Sequence, residues 1–249
     1  MESINYIQSL ELPSPELRGP GEPASPPPRF TGDGQALTIG AGMTEFSKDV
    51  PQTLRPTVSD SLLLAQLAAD KATAAQDDPW AWFSNYNSVF RKIGWICDSA
   101  EGAEQNFSDI NLELHQAIIP LLTAAFGPAV AATSLIITAL TQLQTMNKES
   151  PWITLFHRKS VIVNAAKFGT SYVGLGIDGE AEIKTVFFGV EARQRITQVL
   201  FLNLSSGSAR VKSATSNARL SAEMISRVEG TLKDKVTPYI SDNIKNIDI

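Results

Sequence analysis

The side chains most often used in catalytic and metal sites are few in this chain: two histidines, His115 and His157, and one cysteine, Cys97. Neither histidine has another His or Cys at the spacing of a zinc site. A thiol nucleophile would require Cys97 to meet a histidine in space. Its neighbours, Trp95 to Asp98, are typical of the end of a packed aromatic helix. We therefore expect a buried, inert thiol and no zinc.

The motifs of common enzyme classes are also absent. The sequence contains no G-x-S-x-G nucleophile elbow, no P-loop, no Rossmann glycine fingerprint and no H-E-x-x-H zinc motif. No nucleophile–base pair can be assembled from the residues present. We therefore predict a protein without catalytic activity, bound metal or cofactor.

Two clusters of charged residues are candidates for binding. Asp178, Glu180 and Glu182 lie close together at a predicted hairpin turn, where carboxylates are usually solvated and less often hold calcium. The second cluster is basic and falls in the strand-rich half. If its strands are neighbours, it predicts one patch for acidic lipid headgroups or an acidic protein; otherwise its charges are scattered over the surface. Its members are Arg193, Arg195, Arg210, Lys212 and Arg219.

The most distinctive stretch carries no charge at all. It runs from Gln116 to Asn147, 32 residues in a chain of which 19% is charged. The stretch predicts a helical hairpin of two apolar segments joined at Gly127–Pro128, with a kink at Pro120. Within it, the candidate residues for contact with a membrane or a partner are Ile119, Leu122, Phe126, Ile136, Ile137 and Leu140.

Two interpretations of this hairpin remain open. Its second segment has a polar face without charges, which suits a helix enclosed by protein, where hydroxyls bond backbone carbonyls. It also suits a membrane element that is stored in a water-soluble form. Neither segment predicts a constitutive span, which needs about 20 apolar residues. In layout, an uncharged hairpin within a soluble chain is similar to helical pore-forming toxins, although no motif is shared and their very long helices are missing.

Helical signals precede the hairpin. Ser59 is a candidate first residue of one helix, and Asp78 followed by Pro79 predicts the start of another. In the second helix, Phe83, Tyr86 and Phe90 recur at helical spacing, which is typical of core packing.

Alternating patterns follow Pro151 and predict strands. Asp178–Gly179 predicts a tight turn between the second and third of them. The run Val186–Phe188 breaks the alternation and predicts a strand that is covered on both faces. The predicted strands are Ser160–Ala166, Ser171–Ile177, Glu182–Val190 and Arg195–Leu204, with a shorter edge strand at Ala209–Ala214 and a helix at Ser221–Lys235.

These elements predict an α+β fold. An N-terminal helical layer with the central apolar hairpin is followed by an antiparallel sheet of four to six strands and a C-terminal amphipathic helix. Residues 1–56 are predicted to form an extended or disordered arm, because seven prolines fall between Pro13 and Pro28. Residues 57–150 form the helical region and residues 151–249 the sheet and last helix, either as two units or as one compact domain.

Composition limits the partners. The net charge of −5 and the pI of about 5.1 provide no basic field for nucleic acid. A single cysteine excludes an internal disulfide framework. The first residues are acidic and lack the apolar core of a signal peptide, so we expect a cytoplasmic protein, with leaderless export still open.

Two functional hypotheses follow. The first is a non-enzymatic interaction or self-assembly protein that uses its proline-rich arm and α+β body to bind a protein partner or a second copy of itself. The second is a soluble, membrane-active protein, pore-forming or toxin-like, that inserts the 116–147 hairpin after a trigger.

Overall fold

A mixed β-sheet lies between two layers of helices, which confirms the α+β class. The structure is a computed structural model that describes residues 2–15, 28–74, 78–98, 101–105, 112–204 and 209–248. The helices are Glu2–Ser9 (α1), Arg55–Ala72 (α2), Pro79–Lys92 (α3), Leu114–Phe126 (α4), Pro128–Ala131 (α5), Leu135–Gln142 (α6), Pro151–Ser160 (α7), Ala222–Val236 (α8) and Ile240–Asn243 (α9). The strands are Gln35–Ile39 (β1), Gly42–Phe46 (β2), Ile96–Cys97 (β3), Glu101–Gln105 (β4), Val161–Ile162 (β5), Ala165–Leu175 (β6), Ala181–Ala192 (β7), Ala209–Leu220 (β8) and Ile244–Asn246 (β9).

The order of strands across the sheet is β3-β8-β7-β6-β2-β1-β9, with β4 also pairing with β8 and β5 with β6. The pair β2–β6 is parallel and the other pairs are antiparallel. The prediction of an entirely antiparallel sheet with four to six strands was therefore wrong. The described residues form nine strands, because several come from outside the strand-rich half.

Strand β7 is apolar on both of its faces. Ile183 and Phe187 contribute to one hydrophobic core, whereas Val186, Phe188 and Val190 contribute to a second core on the opposite face. Since successive side chains of a strand point to opposite faces, each face needs its own cover. Helices α2, α3 and α8 supply the first core, and α4, α6 and α7 supply the second. The sequence prediction had placed helices before the sheet as one layer, without this division.

Local sequence signals determine where α3 begins, the helix that covers β7 on the first face. The side chain of Asp78 accepts a hydrogen bond from the Trp80 backbone N–H at 2.8 Å, and Pro79 begins α3 as predicted. The rings of Phe83 and Tyr86 lie 4.7 and 5.1 Å from that of Phe187. The aromatic stripe of α3 is therefore core packing.

The predicted strand Arg195–Leu204 is not a strand. The segment is irregular, with a single bridge from Asn203 to Glu113. Its apolar residues are buried in the second core because its backbone runs across the start of α4: the backbone N–H groups of Leu114 and His115 donate to the carbonyls of Leu202 and Leu200. The predicted edge strand Ala209–Ala214 is also longer than expected, since β8 extends to residue 220 and has neighbours on both sides.

The structure places parts of the predicted arm inside the fold. Ile7 of α1 is fully buried, and β1 and β2 occupy positions between β6 and β9. Leu37 and Ile39 are buried because β1 is covered by helices on both sides. Residues 16–27, where four of the predicted arm's prolines lie, fall outside the described residues.

The predicted two-helix hairpin is divided into three helices, α4, α5 and α6, followed by a 3-10 turn at Leu143–Thr145. The second segment does not form one continuous helix, because the chain turns at residues 132–133 and Ser134 caps a new helix. Its Oγ accepts a hydrogen bond from the Ile137 backbone N–H at 3.2 Å. Helix α4 still packs against α6, as a hairpin would.

Truncating the central aromatic residue of β7 tests the two-sided packing. Phe187→Ala leaves a cavity beside Phe83 and Tyr86, so we expect the free energy of unfolding to fall by about 3–5 kcal/mol in chemical denaturation. Phe187→Leu, the control, keeps most of the volume and should cost much less. A loss below about 1 kcal/mol for the alanine variant would contradict the burial of this ring.

A buried carboxyl group makes the layer formed by α2 and α8 sensitive to pH. Asp60 of α2 is 6% exposed, and burial raises its pKa from 3.8 to about 7, with the positive charge of Lys233 on α8 partly opposing the shift. A carboxyl group with a higher pKa in the folded state binds its proton more tightly when folded. Its contribution to stability is fully present below pH 3.8, falls progressively as the pH rises, and is lost once the pH has risen through 7.

We expect this group to lower the stability of the wild-type protein progressively between about pH 4 and pH 7, by on the order of 2–4 kcal/mol in total. Asp60→Asn carries no ionisable group at this position, so this part of the pH dependence should disappear. Urea denaturation across the pH range measures both proteins. Parallel pH profiles for the two would show that Asp60 does not ionise in this range.

Candidate functional site

The charge-free segment 116–147, called the cover below, lies over the second core. Of the predicted contact residues, Leu122, Phe126, Ile136 and Leu140 are buried, and Ile119 and Ile137 are half-buried. All six belong to or pack against the hydrophobic cluster that includes strands β6, β7 and β8. The structure therefore brings the candidate residues together, with most of their side chains turned towards the sheet.

The outer face of the cover is exposed and carries no charge. Its backbone is locally satisfied, since the hydroxyls of Thr138 and Thr141 donate to the carbonyls four residues earlier. Helix α8, which covers the other face of the sheet, differs: Glu223, Arg227 and Lys233 are all exposed. The exposed residues of the cover are Pro120, Ala124, Pro128, Ala129, Ala132, Thr133, Thr138, Thr141, Gln142, Gln144, Thr145 and Asn147.

One buried carboxylate fastens the cover to the sheet. Glu45 of β2 is 5% exposed, and its Oε2 accepts hydrogen bonds from Ser134 Oγ at 2.6 Å and from the Ile136 backbone N–H at 3.1 Å. The negative charge thus lies at the N-terminal end of α6, where the helix dipole favours an anion. Ser134 connects this carboxylate to α6, because its hydroxyl donates to Glu45 and accepts from the Ile137 backbone N–H. We call this group the Glu45 latch.

The latch is the main polar connection between the cover and the sheet. Across the described ranges, every side-chain hydrogen bond from residues 116–147 to a distant part of the chain ends on Glu45. The other end is fixed just before the cover, where Leu114 and His115 bind the carbonyls of Leu202 and Leu200. The cover is therefore anchored by backbone at the base of α4 and by one carboxylate at the start of α6.

The register of the sheet separates Arg219 from the other residues of the predicted basic patch. Arg210 lies opposite Glu191 on β7, with 3.9 Å between Nη1 and Oε2, and Arg219 lies opposite Glu182. These arginines are nine positions apart on β8, which corresponds to roughly 30 Å, and on opposite faces of the strand. Lys212 lies at the same end of β8 as Arg210. This end is next to the exposed loop that contains Arg193 and Arg195. Arg219 is excluded from any patch there.

The histidines and the cysteine are spread over different parts of the molecule. The Cys97 thiol packs at the edge of the first core, and burial raises its pKa, which lowers the fraction of reactive thiolate. His115 is buried on the other face, with Nδ1 3.0 Å from the Leu200 carbonyl oxygen and 3.3 Å from Glu113 Oε2. His157 Nδ1 accepts from the backbone N–H of Val199, and burial lowers the pKa of His157. In both histidines, Nδ1 thus makes contacts that stabilise the fold.

The acidic turn has the predicted hairpin geometry. Gly179 has a φ of +74°, and the Gly176 N–H donates to the carbonyl of Glu180 at 2.9 Å. The carboxylates of Glu180 and Glu182 lie over Gly176. Among the residues that the structure describes, no three or more His, Cys, Asp or Glu side chains form a group able to hold a metal ion.

Sequence reasoning missed Glu45, the residue that positions the cover. Glu45 and Ser134 are 89 positions apart, and neither stands in a pattern that marks the other. The one local signal is the serine followed by an apolar helix, which is an N-cap signature. None of the described helices combines the length and the apolar character needed to cross a membrane.

Comparisons with known proteins give distant similarities of fold. No protein-family model matches the sequence. No curated protein matches it either. Among solved structures, a delta-endotoxin is similar at a TM-score of 0.42 and 10% identity, covering 84% of this chain and 91% of that one. The Evf virulence factor is similar at a TM-score of 0.34 and 11% identity, covering 100% and 92%.

Removing the latch carboxylate tests its role. Glu45→Ala leaves the Ser134 hydroxyl and the Ile136 N–H without their acceptor, so we expect a loss of about 2–4 kcal/mol. Amide hydrogen exchange should accelerate more in α6 than in α4, whose base is held by backbone bonds. Glu223→Ala, which removes an exposed carboxylate paired with Arg227 at 2.8 Å, is the control and should cost less than about 1 kcal/mol. Equal exchange rates in wild type and Glu45→Ala would show that the latch does not hold α6.

Proposed function

We propose that the protein is membrane-active without catalysis, and that the cover leaves the sheet at a membrane surface and enters the lipid as a re-entrant hairpin. The observation that carries this proposal is the absence of charge on both faces of the cover, including all of its exposed positions. This is the second of the two hypotheses raised by the sequence.

The energetic reason is the cost of taking charged groups out of water. A lysine, arginine or aspartate near the bilayer centre costs about 2.5–3.5 kcal/mol each on insertion scales. The cover brings none of these side chains with it. Its threonine hydroxyls, such as those of Thr138 and Thr141, already bond to backbone carbonyls and need no partner from outside the helix.

The apolar contacts of the cover can be exchanged for lipid. In the folded protein, Leu122, Phe126, Ile136 and Leu140 bury their side chains against the sheet. Lipid tails offer a comparable apolar environment, so the loss of these contacts is largely compensated when the segment moves into a bilayer. In water the same movement would expose them together with the apolar face of the sheet. We therefore expect release only where lipid is present.

The helix lengths support shallow insertion. Helix α4 has 13 residues and is therefore about 20 Å long, against a hydrocarbon core of about 30 Å. Gly127, with a φ of +87°, separates α4 from α5 and supplies the bend of a hairpin. Apolar segments of this length are typical of re-entrant or interfacial elements.

A second candidate function is association with a protein partner or with another copy of the chain through the same outer face. The specific observation in its favour is again the lack of charge, since charged residues are depleted at the centre of protein interfaces. The small exposed residues Ala124, Ala129 and Ala132 leave room for close approach. This candidate requires no departure of the cover from the sheet.

Dye release from liposomes tests the membrane function. We expect the wild-type protein to release an entrapped dye from vesicles of zwitterionic lipid, or of zwitterionic lipid mixed with anionic lipid. Thr138→Lys and Thr141→Lys change exposed positions and should leave the fold intact, but each should lower the release rate at least tenfold, since each brings one charge into the lipid.

Ser226→Lys, at an exposed position of α8, is the matched control and should behave as wild type. Lysine variants of the cover that permeabilise vesicles as fast as the wild type would contradict insertion of this segment. A wild-type protein that releases no dye, but whose dimer or oligomer is disrupted by Thr138→Lys in size-exclusion chromatography with light scattering, would favour the second candidate.

A further inference from the structure

A cavity of about 440 Å³ lies apart from the cover and is not used by the proposed membrane function. It opens between the last turn of α2, the end of α7, the segment that follows α8 and a short piece of the N-terminal region. Its size is that of sites for small organic molecules. Its walls combine apolar groups with two carboxylates, those of Asp70 and Asp242, and two lysines, Lys71 and Lys159.

The Asp70 carboxylate is held in place from behind by two buried donors. Its Oδ1 accepts a hydrogen bond from the indole Nε1 of Trp82 at 2.7 Å and a second, charged one from Lys167 Nζ. Lys167 belongs to β6 and is only 7% exposed, and its ammonium group also lies 4.7 Å from the centre of the Trp82 ring. Only Lys167 is buried in this ion pair, since the Asp70 side chain is 37% exposed, and such a pair is a weak source of stability.

The second oxygen of the same carboxylate is available to the cavity. In the described part of the chain, Asp70 Oδ2 has no hydrogen-bond partner, whereas Oδ1 has two. Asp70 lines the cavity, and its side chain is 37% exposed. Because the contacts of Oδ1 already hold the carboxylate in place, Oδ2 can bind a donor in the cavity without a further loss of side-chain freedom.

Two helix ends and an apolar wall favour a positively charged ligand with an apolar body. Helices α2 and α7 both end at this cavity, at Ala72 and Ser160, and helix C-termini carry partial negative charge. Leu67 and Tyr239 provide apolar surface, and Tyr239 is held because its hydroxyl donates to the Pro13 carbonyl at 2.8 Å. An aromatic ring is also a good neighbour for a cation.

We propose that this cavity binds a small organic cation, a primary ammonium group on a short apolar chain. The ammonium group donates to Asp70 Oδ2, and the apolar chain lies against Leu67 and Tyr239. Lys167 and Trp82 are positioning residues, which hold the carboxylate and do not touch the ligand. Lys71, an exposed residue of the cavity wall, weakens binding by like-charge repulsion, as Lys159 also does, whereas the Asp242 carboxylate opposes this repulsion.

Titration with n-butylammonium chloride tests the site, with sodium butyrate as the anionic counterpart. Binding is followed by the indole N–H signal of Trp82 in two-dimensional NMR, assigned with Trp82→Phe. We expect this signal to shift on saturation with n-butylammonium, with a dissociation constant of about 1 mM for so small a ligand, and not with butyrate.

The sign of the Lys71 effect separates a binding role from a structural one. Lys71→Ala should tighten n-butylammonium binding by about 3- to 10-fold, since it removes a nearby positive charge. Lys71→Glu should tighten it further, and Asp70→Asn should weaken it at least tenfold. Glu149→Gln removes an exposed carboxylate elsewhere and controls for attraction to the net negative charge, so it should leave the affinity unchanged.

Each other outcome contradicts the proposal. No shift with n-butylammonium, or an equal loss of affinity in Glu149→Gln and Asp70→Asn, would mean that there is no cation site at Asp70. Tighter butyrate binding in the wild type and weaker binding in Lys71→Ala would assign an anion to the cavity. If Asp70→Asn fails to fold because Lys167 loses its partner, the two Lys71 variants still decide the sign.

Discussion

The fold depends on one constraint: the interior strand β7 is apolar on both faces. Phe187 lies in one core and Phe188 in the other, so the sheet has no face that water can cover. Two helical layers are the direct consequence, one from α2, α3 and α8 and one from the cover and α7. The two layers bury similar kinds of side chains, but they meet water differently. Helix α8 presents charges to water, whereas the cover presents alanines, prolines, threonines and glutamines.

A second constraint, which local patterns did not reveal, acts on the loops around strands β1 and β2. The guanidinium group of Arg55 is completely buried and donates to the carbonyls of Val50, Ser47 and Asp33 at 3.1, 3.1 and 2.7 Å. Burial lowers the pKa of Arg55, and the nearby Asp33 opposes this shift. The guanidinium group keeps its positive charge at physiological pH. The loops around β1 and β2 are thus gathered around the start of α2. Gln66, further along α2, stabilises the β1–β2 turn. Its side chain accepts a hydrogen bond from the Ala41 backbone N–H and donates one to the Ile39 carbonyl.

The sequence was informative where the cause of structure is local. Asp78–Pro79 marked the start of α3, the predicted helix Ser221–Lys235 corresponds to α8, and Asp178–Gly179 marked the turn between β6 and β7. Pairing between distant segments could not be read in the same way. The alternation in Arg195–Leu204 is real, but it places apolar side chains in a core from an irregular backbone that binds α4. The residues of the candidate site were predictable as an apolar set, whereas their outward neighbours and the Glu45 latch depend on tertiary contacts.

The parallel pairing of β2 with β6 also affects how the chain reaches this structure. Gly42 pairs with Gly169, and on the other side of the same hairpin Leu37 pairs with Asn246, so both contacts close very large loops. Contacts of such high sequence separation are slow to form, because loop closure must precede any gain from pairing. Until the N-terminal hairpin docks, strands β6, β7 and β8 can already pair with one another, but residues 169–173 of β6 lack the neighbour that β2 provides. An unpaired strand edge invites pairing with other chains, so we expect β2 to protect these five residues of β6 from intermolecular contacts.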